Sequence, residues 1–541
     1  MSVFSKTRSA DTVVVYVLRR MRTPLIAVIS IFAIAVLGLV LIPGVDDQGK
    51  PWSMSFLDAF YFVSYMATTI GFGEIPYPFT SAQRLWVSFM IYPTVIIWLY
   101  AFGTILTLMQ DQTFKMALRK SVFSRQVKHI TSPFFLVCGY GDTGHLLAHA
   151  FTQKHQQVVV IDNDQNAIHA LEIEEHAMDV PALVVDASQS EHLIRAGINH
   201  PCCKGVAAVT DDNKVNLKIA INCKLLNPNL EVACRVEDKG IEANMASFGT
   251  DYLINPFDIF VQQMVLHLFY PKHYQLHELL TEEDGEHCAF NEVNTQGLWI
   301  ICGFGRLGET LYQAFLEYGL EVLVIDEVPE EMGAPEGSVR GRGTEAVTLL
   351  EAQIKRAVGI VAATSDDADN LSILMTAKEL KSDLFIIARQ NIRANDALFT
   401  AINANEVMQN NKIVAQEVMA RLSTPMLYQF ISQLRYLAEV EVSNLVEELL
   451  RIQNVRELKT WQLVVDIQQT PSVISALDLA ATVDLNHLVS LAGEVQLGQP
   501  FVVLAIKRGH TLMMHPSADT TIFAGDNILC CGDTRFASRP I

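Results

Sequence analysis

Two stretches of this chain carry no charge and are long enough to cross a bilayer: residues 24–42 and residues 85–109. A helix of about 20 apolar residues spans the hydrocarbon core. Backbone in lipid must satisfy its own hydrogen bonds, so both stretches have to be helices. Residues 1–22 and 110–132 each carry a net charge of +4, and residues 43–84 carry −2. That lysine and arginine excess predicts both termini in the cytoplasm and the intervening loop outside. Residues 11–21 read as a short interfacial helix with Val13, Val14 and Val17 on one side. The first apolar stretch lacks a small-residue cleavage site and runs into a membrane hairpin rather than a cleaved signal. Neither stretch repeats arginine, as a voltage sensor would require.

Between the two stretches lies Thr68-Thr69-Ile70-Gly71-Phe72-Gly73-Glu74-Ile75-Pro76-Tyr77, preceded by an aromatic helical run at 55–68. Gly71 and Gly73 admit backbone angles closed to other residues. Carbonyls from about Thr69 to Phe72 can then turn toward one axis, with the Thr69 hydroxyl closing the inner end. A Gly-rich surface turn would show the same two glycines, but not inside a two-span hairpin behind a candidate pore helix. The stretch resembles the selectivity filter of potassium channels, which implies K⁺ held by Thr69, Ile70, Gly71, Phe72 and Gly73. Ile70 and Phe72 stand where the family commonly has Val and Tyr, and Phe72 brings no phenol to hydrogen-bond behind the loop. One loop cannot encircle an ion, so a homotetramer is expected. Pro93 and Gly103 lie inside the second span and read either as packing features or as a gating hinge.

From residue 133 onward the chain is acidic, with a net charge of −25, which argues against nucleic acid as a partner. This part repeats internally. Residues 134–144 (FFLVCGYGDTG) match 298–308 (LWIICGFGRLG), and VVVID at 158–162 matches VLVID at 322–326. Ala207 to Asp212 matches Val361 to Asp366, and Arg235 matches Arg389, at a shorter offset. Apolar runs alternate with helical stretches in each copy, the pattern of βαβ units on a parallel sheet.

Each copy carries G-x-G-x-x-G after a strand and before a helix, with an aspartate at the end of the next strand. The residues are Gly139, Gly141, Gly144 and Asp162 in the first copy, and Gly303, Gly305, Gly308 and Asp326 in the second. In the dinucleotide fingerprint the first glycine makes the turn and the second admits pyrophosphate. The third lets helix and strand pack closely, and the acid holds a ribose. A Rossmann scaffold kept only for assembly would look the same. Arg306 sits inside the second loop, where it can face phosphate; Asp142 holds the equivalent place in the first and would repel it. The second site therefore ranks above the first.

Two apolar helical pieces broken at Pro271 follow the first copy, then the acidic run 277–287. Glu278, Glu282, Glu283 and Asp284 offer carboxylates to Ca²⁺ without EF-hand spacing, and a solvated linker is the competing reading. His273 and His277 share a helix face and read as surface residues ahead of metal ligands. A longer helical pair bends at Pro425, and residues 456–541 are strand-rich. The nine cysteines form no CxxC, which indicates reduced thiols. No nucleophile–base pairing argues for catalysis.

The whole constellation resembles prokaryotic two-helix potassium channels with tandem cytosolic RCK domains, the TrkA-N and TrkA-C fold. The expected architecture is a membrane α-helical pore hairpin plus α/β: two tandem Rossmann-like doubly wound domains and a small α+β C-terminal lobe. The expected segments are 1–22, a pore domain at 23–110, a linker at 111–132, the first RCK lobe at 133–257, and crossover helices with the acidic linker at 258–296. The second RCK lobe follows at 297–410, a second crossover at 411–455, and the C-lobe at 456–541. The resemblance implies a tetramer in a bacterial or archaeal plasma membrane, gated by NAD(H), an adenine nucleotide such as ADP or ATP, or Ca²⁺. A membrane-anchored NAD-dependent oxidoreductase and a regulatory subunit of a potassium transporter are the alternatives; neither accounts for residues 68–74.

Overall fold

The computed structural model describes residues 8–281, 295–452, 458–478, 482–492 and 501–533. They fall into two units, Met1–His129 and Ile130–Ile541.

The first unit is a helical hairpin. Helix α1 (Arg8–Leu41) runs without a break through Pro24, so the separate interfacial helix expected at 11–21 is the first part of the spanning helix. At 1.5 Å per residue its 34 residues extend about 50 Å, well beyond the hydrocarbon thickness. A two-residue pair, β1 (Gly44–Val45) and β2 (Pro51–Trp52), closes the loop that follows. Helix α2 (Phe56–Ala67) starts at Ser55, whose hydroxyl oxygen accepts from Asp58 N, and Asp58 places a negative charge on the positive end of the helix. Helix α3 (Ser81–Gln110) starts at Thr80 with a capping box through Gln83. It then runs unbroken through both Pro93 and Gly103. Helix α4 (Gln112–Lys128) is capped by Asp111. α1 and α3 pack closely because Gly38 leaves room for Trp86: a Cβ there would lie 2.1 Å from the indole. Trp86 Nε1 donates to Ala35 O at 3.1 Å. The outward sides of α1 and α3 carry exposed Leu25, Ile29, Leu37, Phe89, Ile96 and Leu99.

The second unit contains two six-stranded parallel sheets. The first has β3 (Phe134–Cys138), β4 (Gln157–Asp162), β5 (Ala182–Val184), β6 (Cys203–Ala208), β7 (Glu231–Arg235) and β8 (Tyr252–Ile254) in the order β5-β4-β3-β6-β7-β8. The second has β9 (Leu298–Cys302), β10 (Glu321–Asp326), β11 (Val339–Arg340), β12 (Ala357–Ala362), β13 (Phe385–Gln390) and β14 (Glu406–Gln409) in the matching order β11-β10-β9-β12-β13-β14. β3 and β9 are buried throughout, as strands covered on both faces must be.

The cover is exchanged between the copies. Helix Pro256–Phe269 leaves the first sheet and packs Phe257, Phe260, Met264 and Leu268 against Trp299, Ile301 and Phe315 of the second copy. Helix Asn410–Ser423 returns the favour, placing Val414, Val418 and Leu422 against Phe135, Val137 and Leu147 of the first. Each such fully buried side chain contributes about 1.5–3 kcal/mol. Neither sheet has a complete core without the other copy's helix.

The C-terminal lobe is an antiparallel sheet of β15 (Leu458–Val464), β16 (Phe501–Arg508), β17 (Thr511–Met514) and β18 (Asn527–Asp533), ordered β15-β18-β16-β17. One face packs on helices Pro271–Thr281, Pro425–Gln433 and Glu439–Leu450 through Leu279, Phe430 and Leu445. The other packs on helices Pro471–Asp478 and Leu485–Ala492 through Val473 and Leu488.

Candidate pore loop and phosphate-binding loops

The backbone after α2 alternates. Thr69, Gly71 and Gly73 all have positive φ, at 61°, 68° and 73°, while Ile70 and Phe72 do not. Every second residue in the left-handed region turns successive carbonyls toward the same side, the arrangement that ion coordination by backbone needs. The glycines were legible in the sequence; the left-handed Thr69 was not. The amides of Ile70 and Gly71 both donate to Tyr65 O, at 3.0 and 3.3 Å, which ties the start of the loop to the end of α2.

The phenol that Phe72 lacks is supplied from α2. Tyr65 Oη donates to Glu74 O at 2.9 Å and Tyr61 Oη to Glu74 Oε2 at 3.2 Å. The Tyr65 ring meets Phe72 edge-on at 6.5 Å. Neither tyrosine was singled out from the sequence; their i, i+4 spacing on an aromatic helix is the signal that could have found them. Ile70 and Phe72 are both largely exposed in the single chain.

In the second unit both glycine loops have the fingerprint geometry. Gly139 and Gly303 have φ of 104° and 95°. A Cβ on Gly144 would lie 2.0 Å from Gly139 O, and one on Gly308 2.0 Å from Gly303 O. These third glycines are therefore packing positions. The space over Gly305 is open, with nothing within 4 Å of a Cβ, and Gly141 meets only Asp211 Oδ2, at 4.0 Å. Asp326 accepts from Phe304 N at 2.7 Å and Val328 N at 2.9 Å, and Asp162 from Tyr140 N at 2.5 Å and Asp164 N at 2.6 Å. Each aspartate thus fixes its own loop. Carboxylate oxygens retain further lone pairs for a ribose hydroxyl.

Arg306 does not lie free over its own loop. Its Nη1 is 2.6 Å from Glu237 Oε2 of the first copy, and its guanidinium sits 5.0 Å from the Phe257 ring centre. Arg389, buried, lies 5.2 Å from the same ring, and its Nε has no partner. Burial first, and then Arg306, lower its pKa below the ordinary arginine value. The repeat partner Arg235 is fully engaged: it donates to Glu237 Oε1 at 3.1 and 2.7 Å, and to Asp211 Oδ1 at 2.9 Å and Asn411 Oδ1 at 3.3 Å. Asn411 also accepts from Thr143 Oγ1 at 3.0 Å and donates to Asp142 Oδ2 at 3.3 Å. A continuous run of side chains, Asp142–Asn411–Arg235–Glu237–Arg306, therefore joins one glycine loop to the other.

The first loop has a second set of partners. Glu174 lies 2.7 Å from His145 Nε2 and accepts from Tyr140 Oη at 3.1 Å. Burial pushes Glu174 up, but the His145 hydrogen bond and charge outweigh it and hold the carboxyl below its usual value. His176, buried with Nδ1 unpartnered, is held below the ordinary histidine value by burial.

Glu278 lies on helix Pro271–Thr281, 3.7 Å from His277 Nδ1, while Glu282, Glu283 and Asp284 lie outside the described residues. Among the described residues no group of three or more His, Cys, Asp or Glu side chains is placed to hold a metal. His273 and His277 are buried, contrary to their expected surface role, because their helix is sandwiched between the second crossover and the C-terminal sheet. Cys138 and Cys302 are unpaired and buried in β3 and β9; burial pushes the Cys302 thiol up to about 12 and the Cys138 thiol well above its usual value. Neither is a nucleophile.

Residues 25–111 match the ion-channel family, and residues 135–256 and 299–410 each match the TrkA-N domain family. The chain therefore joins one ion-channel segment to two TrkA-N segments. Among curated relatives it is 27% identical to probable potassium channel protein 2 of Methanocaldococcus jannaschii, over 29% of this chain and 48% of that one. It is 23% identical to the voltage-gated potassium channel Kch of Escherichia coli, over 38% and 48%. An uncharacterized protein of Methanothermus fervidus is 26% identical over 42% of this chain and 34% of its own length, so the chain spans less than half of each of these relatives. The solved GsuK channel bound to NAD shares the fold along the whole length, with a TM-score of 0.51, 15% identity, and 97% and 98% of the two chains covered.

Proposed function

We propose that this protein is a potassium-selective channel, gated by a cytosolic nucleotide bound in its paired RCK copies. The alternating left-handed backbone at Thr69, Gly71 and Gly73, in a loop between two spans, carries the reading. An enzyme has no use for such a loop, and neither does a regulatory subunit. Four chains around one axis would supply the ring of carbonyls and cover Ile70 and Phe72, with bilayer lipid covering the outward sides of α1 and α3. Both termini would lie in the cytoplasm of a bacterial or archaeal cell.

NAD(H) or an adenine nucleotide fits the open space over Gly305, with Asp326 for a ribose. The relatives named as potassium channels and the NAD-bound GsuK channel support this choice. The first loop, with Gly139, Gly141, Gly144 and Asp162, is the secondary site. Binding gates only if affinity differs between closed and open states. A coupling of about 1–3 kcal/mol would change affinity roughly 5- to 150-fold. Movement would reach α3 through α4, with Pro93 or Gly103 as the hinge. A Cβ at Gly103 meets nothing within 4 Å, so Gly103→Ala stiffens the helix without a clash. Ca²⁺ at the acidic run is not needed for this account.

The test is nucleotide-dependent open probability of the reconstituted protein. Open probability should respond to NAD⁺, NADH, ADP or ATP, and the response should disappear in Gly305→Val while selectivity stays. A response unchanged in that variant places the ligand elsewhere.

A further inference from the structure

Arg389 lies at the end of β13, the place that Arg235 holds at the end of β7 in the first copy. Arg235 donates to Asp211, Glu237 and Asn411. The second copy keeps the arginine and replaces all three acceptors. Ser365 stands for Asp211, Asn391 for Glu237, and Phe257 of the exchanged helix for Asn411. Asn391 turns its amide to Thr364 O and Asp367 instead.

Arg389 is left as a cation 8% exposed, packed on the Phe257 ring. Its Nε is enclosed by protein. The two Nη nitrogens are not, and among the described residues neither has a hydrogen-bond or ion-pair partner. Glu237 and Asp367 act on Arg389 only through space. Both are engaged elsewhere: Glu237 holds Arg306 and Arg235, and Asp367 accepts from Asn391 N, Ile392 N and Asn395 Nδ2. Arg306 comes to the same Phe257 ring, at 5.0 Å, from beside the open space over Gly305. A buried charge without a partner is costly, and two guanidiniums at one ring repel each other. An anion shared by the two relieves both costs.

We infer that Arg389 and Arg306, at the start of helix Arg306–Glu317, form a phosphate site in which Arg389 is the unassigned specificity residue. Guanidinium forks match phosphate oxygens, and the helix end adds a positive dipole. The site needs a phosphoryl group but no nucleoside, so it stands without the nucleotide reading. Phosphate from either source, a free anion or a nucleotide, carries the same chemistry. Because Glu237 and Phe257 belong to the first copy, a bound phosphate that draws Arg306 off Glu237 is felt in both copies.

Calorimetry on the intact protein in lipid nanodiscs, with empty nanodiscs as the blank, tests the site with pyrophosphate, ADP and adenosine. Arg389→Met keeps an apolar stem and removes the charge; it should weaken pyrophosphate and ADP at least about tenfold and leave adenosine alone. Ser365→Asp puts the first copy's carboxylate back at an exposed position and should also weaken both. Weakened ADP with no pyrophosphate binding assigns the phosphate to a nucleotide, weakened pyrophosphate with unaltered ADP assigns it to a free anion, and either result supports the role of Arg389. Thermal melting in phosphate-free buffer separates a ligand role from a structural one. Arg389→Met should keep or raise the ligand-free melting temperature, whereas Arg235→Met, which strands Asp211 and Glu237, should lower it. Absence of binding by both phosphates, affinities unchanged in Arg389→Met and Ser365→Asp, or a lowered ligand-free melting temperature in Arg389→Met overturns the inference.

Discussion

Arg306 of the second glycine loop reaches across to Glu237 of the first copy, with 2.6 Å between Nη1 and Oε2. The cation that the second loop offers to a phosphate is therefore already paired, with a carboxylate that also holds Arg235. An incoming phosphate has to compete with Glu237, and what Glu237 does next is felt at Arg235, Asn411 and Asp142. Glu237→Gln removes the competing charge with little change in shape. Calorimetry should show nucleotide binding at the second site about tenfold tighter, the worth of roughly 1.4 kcal/mol from one charge-assisted bond. Unchanged affinity would mean that Arg306 serves assembly only.

Tyr65→Phe should weaken the pore loop without changing its sequence. The hydrogen bond to Glu74 O is worth about 0.5–1.5 kcal/mol per chain, and the proposed tetramer would have four of them. Sustained recordings in symmetrical K⁺ should show faster run-down of current. Tyr61→Phe should do less, because that bond is exposed. Equal run-down for both variants and the parent would remove Tyr65 from the filter's support.

The glycines of the second loop should separate by function. Gly308→Ala forces a Cβ to 2.0 Å from Gly303 O and should lower the melting temperature with or without nucleotide. Gly305→Val faces open space and should leave the ligand-free melting temperature alone. It should instead abolish the rise that nucleotide produces through mass action. Thermal scans with and without NAD⁺ and ADP read both effects, and equal damage from the two variants would contradict the assignment.

Acid should loosen the first copy before the second. His176 has a folded-state pKa below its ordinary 6.5. The unfolded chain then binds the proton more readily, so this stability is full above about 6.5 and is lost as pH falls from there through the folded value. Glu174, also lowered, adds a second loss below its ordinary 4.5. Amide exchange in helix Asp142–Gln153, corrected for intrinsic rates, should accelerate between about pH 7 and pH 5.5. His176→Phe should flatten that change. A pH-independent rate in the parent would contradict the shift.

The hairpin and both Rossmann copies were readable because their signals are local. An uncharged run of nineteen residues or more, and a glycine loop between strand and helix, state their structure within a short window. The exchange of crossover helices was not readable. Phe257 and Leu422 look like ordinary core residues, and nothing in their spacing says which sheet they cover. The same limit hid the Glu237 contact: Arg306 was legible as a cation in a phosphate loop, but its partner lies about 70 positions away in the other copy. The burial of His273 and His277 also depends on long-range packing, against the C-terminal sheet.

The most direct measurement is the reversal potential of the purified protein in a planar bilayer, with K⁺ on one side and Na⁺ on the other. A filter built from the carbonyls of residues 69–73 predicts a reversal potential far toward the K⁺ equilibrium value, and loss of that selectivity or of all current in Gly71→Ala. At Gly71 the cost is conformational, since φ is 68° and no atom lies within 4 Å of a Cβ. That strain is about 1–2 kcal/mol per chain. A reversal potential near zero in the parent, or full K⁺ selectivity in a well-folded Gly71→Ala tetramer, would contradict the account.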